Sequence, residues 1–494
     1  MPIEQFLSVE QLAHLPAGVD RPAYDRDAVT NGIVHFGPGA FHRVHQGWYV
    51  DDLLAQDPRW AISAAALQTS AVRDALAPQG NLYTVAVLDE RVSFRVIGAL
   101  TEMLVAPEDI GAVLRRLAAP TTHLVTITVT EKGYCLDARG DLDVSRAEIR
   151  QDLATPRMPR SLIGFLTEGL RLRRTAGLRP CTIVSCDNLV DNGVKLARAL
   201  GQFVREVDAD LARWIEAEAR FPRTMVDSIT PFTDGALRER VAAALGCRDR
   251  WPVQREAFVQ WVIEDAFSDA TPDWASVGVT VTDDVPAYDR TKLRLLNGAH
   301  STLAYLGSLA GFATVAEAMA DPVLAGFVEQ LMRVEIMPSI RAPRGLDLGG
   351  YTTSLLRRFR NPVMQHSLAQ IAWDGSQKLP IRLLGTIADN LRAGRRIERL
   401  CLPIAAWLHF IRRSAQDGRE LVDPLAAQLL DIGGRANGDA GESLETFLAL
   451  TQIFPPALAA DAQFVRALRQ GYRGLDGNEA AGRERVERAC AALM

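Results

Sequence analysis

Apolar positions in the first half of the chain alternate between two textures. Short apolar runs at 32–36, 60–67, 123–130 and 181–186, the third strongly β-branched, read as strands. Between them, 41–54, 108–118, 161–176 and a long stretch at 194–219 carry a helical period. Segments 82–88 and 92–100 read as two further strands, close enough in sequence to pair antiparallel. Strands alternating with helices predict a parallel sheet covered on both faces. From about Pro286 the β-branched runs thin out. Helix-period segments follow at 288–309, 322–336, 355–359, 381–393 and 396–414, and 457–494 is mostly helical. The pattern predicts an α/β domain over 1–285 and a mainly α-helical domain over 286–494, with no fixed-period repeat.

Composition narrows the class. Of 494 residues, 48 % are hydrophobic and 23 % charged, the balance of a soluble globular chain. A net charge of −5 gives no basic footprint, so nucleic acid is not an expected partner. The longest uncharged run, 295–316, contains Asn297, His300 and three glycines. That is too polar to span a membrane and reads as buried helix near a site. Six scattered cysteines form no CxxC and no zinc spacing, so neither a metal nor a disulfide framework is expected. The first sixteen residues lack a basic region and an apolar core, and a reduced, cytoplasmic protein is expected.

The cations are unevenly chosen. Of 55 basic residues only four are lysines: Lys132, Lys195, Lys292 and Lys378. Codon bias explains such a count. A retained lysine also marks a place where arginine fails, because a desolvated lysine can give up its proton and arginine cannot.

Four motifs carry chemistry. Gly37-Pro38-Gly39-Ala40-Phe41-His42 follows a strand and opens a helix. Its two glycines let the backbone approach a pyrophosphate, although His42 stands where the third glycine of GxGxxG belongs. The next strand ends Gln68-Thr69-Ser70 with no acid for the ribose 2′-hydroxyl of NAD, and Arg73 follows. NADP is therefore not excluded, and binding of the ribose by Gln68 or Ser70 is the other reading. Thr130-Glu131-Lys132-Gly133-Tyr134 closes the most apolar strand, at the edge where ligands sit in parallel sheets. Ser185-Cys186-Asp187-Asn188 closes another, and an asparagine there either supports a developing oxyanion or caps the next helix. Finally, Lys292, Asn297 and His300 share an apolar segment. On an ideal α-helix Asn297 lies about 140° and His300 about 80° from Lys292, one broad face, with Arg294 about 200° away. Three buried polar groups on one face must bond each other or a ligand.

With these motifs in place, the chain resembles the polyol-specific long-chain dehydrogenase family (the mannitol dehydrogenase family). The resemblance covers nearly the whole chain. It rests on GPGAFHRVHQ at 37–46, TVTEKGYC at 128–135, SCDN at 185–188, FPRTMVD at 221–227, FVQWVIED at 258–265, KLRLLNGAHS at 292–301 and DGSQKLP at 374–380. It implies a Rossmann-type N-terminal domain, a helical substrate and catalytic domain, NAD and no metal. Gly37, Gly39, Ala40, Phe41, Thr130 and Glu131 are the expected cofactor residues. Lys292 is implied as general base, Asn188 and Asn297 as holders of the reacting oxygen, and His300 as the residue that orients substrate. Asp227 and Lys378 match positions that bind substrate hydroxyls. TEKGYC, SQKLP and Gln370 resemble the fructuronate-reducing members rather than the mannitol-oxidising ones. Lys132 is then a candidate partner for a substrate carboxylate. Ser228 departs from the arginine usual in both groups. The implied reaction is reduction of D-fructuronate to D-mannonate, with mannitol or another polyol as the alternative substrate. A non-catalytic nucleotide-binding protein is the remote alternative. A sugar derivative is the expected partner, and a monomer or weak oligomer the expected state.

Overall fold

The first unit is built around five strands, of which the inner ones are buried on both faces. The computed structural model describes residues 5–137, 139–436, 440–477 and 482–494, and the chain divides into two compact units, Met1–Val285 and Pro286–Met494. In chain order the strands are β1 (Asn31–Phe36), β2 (Ala61–Ala66), β3 (Leu100–Val105), β4 (Leu124–Ile127) and β5 (Thr182–Ser185). They pair in parallel in the order β3-β2-β1-β4-β5, the order of dinucleotide-binding sheets. Successive residues feed opposite cores. Val34, Val125 and Ile183 join one cluster, while Ile33, Leu124 and Val184 join the other. This is the two-sided burial that continuous apolar strands require. Tyr83–Leu88 and Ser93–Ile97 form the expected antiparallel pair within a separate four-stranded sheet. A three-stranded sheet combines Thr224–Asp227, Gln260–Glu264 and Thr280–Thr282.

Several boundaries differ from the sequence pattern. The segment read as one helix over 41–54 is two, Ala40–Val44 and Gln46–Leu54, broken at His45. There the ring Nε2 bonds the carbonyl of Gln260 at 2.9 Å and the imidazole packs edge-on against Trp261. The long helix over 194–219 also divides, into Asn192–Val207 and Ala209–Glu218, because the Asp208 side chain caps the second by accepting from Leu211 N–H. β4 stops at Ile127, and Thr130–Gly133 is a helical turn rather than strand. Leu100 opens β3 instead of ending the preceding strand.

The second unit is helical. Glu398–Asp417, almost wholly buried, packs against Gly298–Ala310, Ala426–Arg435 and Ala462–Gly474. Among the described residues, three π-helical segments interrupt its α-helices: Lys292–Asn297, Leu331–Ile336 and Pro380–Leu384. The first of these packs against the other two. Local causes are visible at two of them. The Thr291 hydroxyl bonds back to the Ala287 carbonyl just before the first, and Pro380 opens the third without an amide N–H. No described helix is long and apolar enough to cross a membrane.

Candidate active site

In the N-terminal unit the expected residues gather at the carboxyl ends of β1, β4 and β5. Gly37 has φ of 88°, and a Cβ there would lie 2.1 Å from the Thr128 carbonyl oxygen. Only glycine fits between these two strand ends. Gly39 is different: a Cβ built on it meets nothing closer than 3.9 Å. The space over Gly39 is open at the start of the helix carrying Ala40 and Phe41, and close backbone approach of this kind is what a dinucleotide pyrophosphate requires. His42, in the position of the third glycine, is fully buried and lies flat on His35, ring centroids 3.3 Å apart. Flat stacking lets a ring occupy the close helix–strand contact that glycine otherwise secures. His35 spans β1 and β4 through Thr126 Oγ1 at 2.8 Å and Thr128 Oγ1 at 3.0 Å, and burial pushes it down to about 3.

A carboxylate ties the second and third motifs together. Asp187 accepts from the amides of Val129 (2.9 Å) and Thr130 (3.1 Å) and from the Tyr134 hydroxyl (2.7 Å). Burial raises its pKa against these hydrogen bonds, which favour the charged form. Thr130 is held at φ of 65°, uncommon for a β-branched residue, so the surrounding bonds fix a strained turn at a strand end. Thr130, Glu131, Lys132 and Asn188 are all exposed on these loops. Asn192 makes the next link. Its side chain bonds the carbonyls of Ser185 (3.2 Å) and Thr224 (3.1 Å) and accepts from Thr224 N–H at 3.0 Å. This clamp fixes the strand Thr224–Asp227, whose last residue, Asp227, is buried. Ser228 bonds the Phe258 carbonyl at 3.1 Å. The sequence motif contains Asp187 and runs on to Asn192, but it gives neither a role. Their partners lie up to 58 residues away, and only their place at a strand end marks them.

Arg73 does not stand ready for a 2′-phosphate. Its guanidinium pairs with both oxygens of Glu108 and with Asp74, and the Ser70 hydroxyl is also turned to Asp74. Two carboxylates on one guanidinium leave this spot with negative charge. Gln68 remains exposed at the end of β2.

In the C-terminal unit, Lys292 and Asn297 mark the two ends of one π-helical segment and both are buried. An i→i+5 ladder widens the turn, so residues five apart lie closer to one another around the axis than on an α-helix. The α-helical expectation of about 140° between them is thereby corrected, and the two side chains share one face. His300 follows in the next α-helix, 7 % exposed, against Phe359 (4.8 Å) and His366 (5.1 Å). Among the described residues its Nε2 is buried without a hydrogen-bond partner. Burial first, then His366, Arg382 and Arg358, hold its pKa well below the usual histidine value, so it is a neutral hydrogen-bonding group. Lys378 sits on Gly375–Leu379, just before the π-segment Pro380–Leu384. That segment approaches Gly298 closely, a Cβ there lying 3.3 Å from the Arg382 carbonyl oxygen. Lys292, Asn297, His300 and Lys378 are thus carried by two adjoining helical stretches. Arg294 points elsewhere, to Ser339 and Asp389. Lys195 is a half-buried residue on Asn192–Val207.

Known proteins match this chain along most of its length. The family model for the mannitol dehydrogenase Rossmann domain matches residues 31–276, and that for the mannitol dehydrogenase C-terminal domain matches 284–476. D-mannonate oxidoreductase of Escherichia coli is 39 % identical over 486 residues, covering 96 % of this chain and 98 % of that one. Mannitol 2-dehydrogenase of Phaeosphaeria nodorum is 38 % identical, covering 92 % and 81 % respectively. Among solved structures, the ternary complex of Pseudomonas fluorescens mannitol 2-dehydrogenase with NAD and D-mannitol is 35 % identical. It superposes with a TM-score of 0.82 over 99 % of each chain.

Proposed function

The chain belongs to the mannitol dehydrogenase family, and on that premise we propose that it interconverts D-fructuronate and D-mannonate with NAD(H). The supporting observation is the pairing of Lys292 and Asn297 on one buried π-turn, with neutral His300 in the following helix. A desolvated lysine is the side chain able to exchange a proton near neutral pH. In the reducing direction the Lys292 ammonium gives a proton to the ketone oxygen as its carbon becomes tetrahedral. In oxidation the Lys292 amine takes the hydroxyl proton. The Asn297 amide donates to the same oxygen, whose negative charge grows along the reaction. His300 offers its unpartnered Nε2 to a substrate hydroxyl.

On the N-terminal unit, Gly37, Gly39, Ala40 and Phe41 would hold the dinucleotide, with Thr130 and Glu131 on the neighbouring loop. Bound NADH supplies the hydride and NAD accepts it. The NAD complex of the Pseudomonas relative supports this cofactor, and the carboxylates around Arg73 favour it over NADP. Asn188 is assigned to the reacting oxygen, and Asp227 and Lys378 to substrate hydroxyls. The keto-uronate is preferred to an uncharged ketose because Lys132, Gln370 and the SQKLP segment follow the fructuronate-reducing pattern. The test is a panel of ketoses and keto-uronates with both reduced nucleotides, followed by absorbance. Turnover of D-fructuronate with NADH supports the reading. Robust mannitol oxidation without uronate activity overturns it.

A further inference from the structure

Among the described residues, two cations of the C-terminal unit form no ion pair. Lys378 and Arg382 are four residues apart on the continuous helical stretch Gly375–Leu384. Like charges at this spacing repel, and partly buried cations are normally paired with acids. Among the described residues, Arg382 has one side-chain hydrogen bond, from Nη1 to Ser301 Oγ at 3.1 Å, and no carboxylate within ion-pair distance. Lys378 has one long contact, from Nζ to the Ile371 carbonyl at 3.4 Å, and likewise no ion pair. Burial lowers the pKa of both. Arg382 then adds to the lowering on Lys378, and the Arg382 guanidinium, pushed down to about 10, remains a cation at neutral pH.

The nearest acids do not resolve the imbalance. Asp374 and Asp423 act on Lys378, yet Asp423 is committed to Ser376 N–H (2.8 Å), Ser376 Oγ (2.5 Å) and Leu425 N–H (2.9 Å). Arg382 meanwhile lies beside the helix that carries His300, through Ser301, and its charge acts on His300. A guanidinium fork with unused N–H groups, beside the residue assigned to orient substrate, matches the geometry of a carboxylate.

We propose that Arg382 binds the substrate carboxylate and so selects keto-uronates over uncharged ketoses. The assignment rests on the keto-uronate reading above and replaces Lys132, which is exposed on the N-terminal unit, as the carboxylate partner.

The test compares wild type, Arg382→Met and Arg382→Lys in NADH oxidation with D-fructuronate, D-fructose and a ketose phosphate, alongside melting temperature. Arg382→Met is expected to raise KM for D-fructuronate at least about tenfold, the scale of one charge-assisted bond, with kcat less affected. Its kcat/KM for D-fructose stays within about threefold of wild type, and Arg382→Lys recovers part of the loss. Equal losses on charged and uncharged substrates, or an unchanged ratio, overturn the Arg382 assignment and leave the keto-uronate reading standing. A wild-type preference for the ketose phosphate overturns the carboxylate as the bound anion. Absence of any D-fructuronate turnover by wild type overturns both readings.

Discussion

Lys292 and Asn297 face the same way because the helix between them closes one π-turn rather than an α-turn. The i→i+5 ladder is rare, and such turns concentrate at functional sites. Here three occur among the described residues of one unit, and the one bearing Lys292 packs on both of the others, including the Pro380–Leu384 segment that follows Lys378. The proposed base and the proposed oxyanion donor therefore owe their alignment to a backbone irregularity. Either side chain is separable from it by mutation.

Asn297→Ala is expected to lower kcat by about 10²–10³-fold, the effect of removing one oxyanion donor. NADH binding, followed by nucleotide fluorescence, should be retained. A loss confined to KM would assign Asn297 to ground-state binding instead.

The two glycines of the nucleotide loop should fail differently. Gly37→Ala forces a side chain into the Thr128 carbonyl at a positive φ, so thermal unfolding should show marked destabilisation. Gly39→Ala meets no protein atom closer than 3.9 Å, so its melting temperature should hold while NADH affinity falls. Equal NADH affinity in Gly39→Ala and wild type would remove Gly39 from the cradle.

Arg73 is engaged by Glu108 and Asp74. Releasing it with Glu108→Gln and Asp74→Asn together should raise the NADPH-to-NADH ratio of kcat/KM by about tenfold, as one guanidinium becomes available to a 2′-phosphate. An unchanged ratio would place Arg73 away from the ribose.

Acid should weaken the fold through its buried histidines. Burial holds His35 at about 3 and His409 at about 4, and His42 and His300 well below the ordinary value of 6.5. The unfolded chain binds these protons near pH 6.5 while the folded chain refuses them. Stability is therefore complete above that pH and declines as pH falls from there toward the folded values. Each histidine contributes up to ~1.4 kcal/mol per pH unit. Denaturant titrations between pH 7 and 4.5 should show the midpoint falling. A midpoint that is flat or rises on acidification would contradict neutral burial.

Much of this was legible in the sequence. Short apolar runs marked β1, β2, β4 and β5, because strands buried on both faces must be largely apolar. Gly37, Gly39 and the two polar loops at strand ends were visible as motifs. What escaped was set by contacts distant in sequence. His45 breaks a helix to reach Gln260, 215 residues on. Arg73 is claimed by Glu108 across 35 residues. The π-turn leaves no mark in apolar periodicity, so α-helical arithmetic misplaced Asn297 relative to Lys292. In the sequence Arg382 is one of many arginines, and its lack of an ion pair among the described residues is set by the fold.

The central claim is that Lys292 exchanges the proton, and Lys292→Arg addresses it most directly. The variant keeps a cation at the site and cannot release its proton. Steady-state D-fructuronate reduction, measured beside NADH binding and melting temperature, should fall at least about a hundredfold with binding and stability largely retained. Lys195→Arg, on the helix Asn192–Val207, should match wild type. Near-normal turnover in Lys292→Arg would contradict the account.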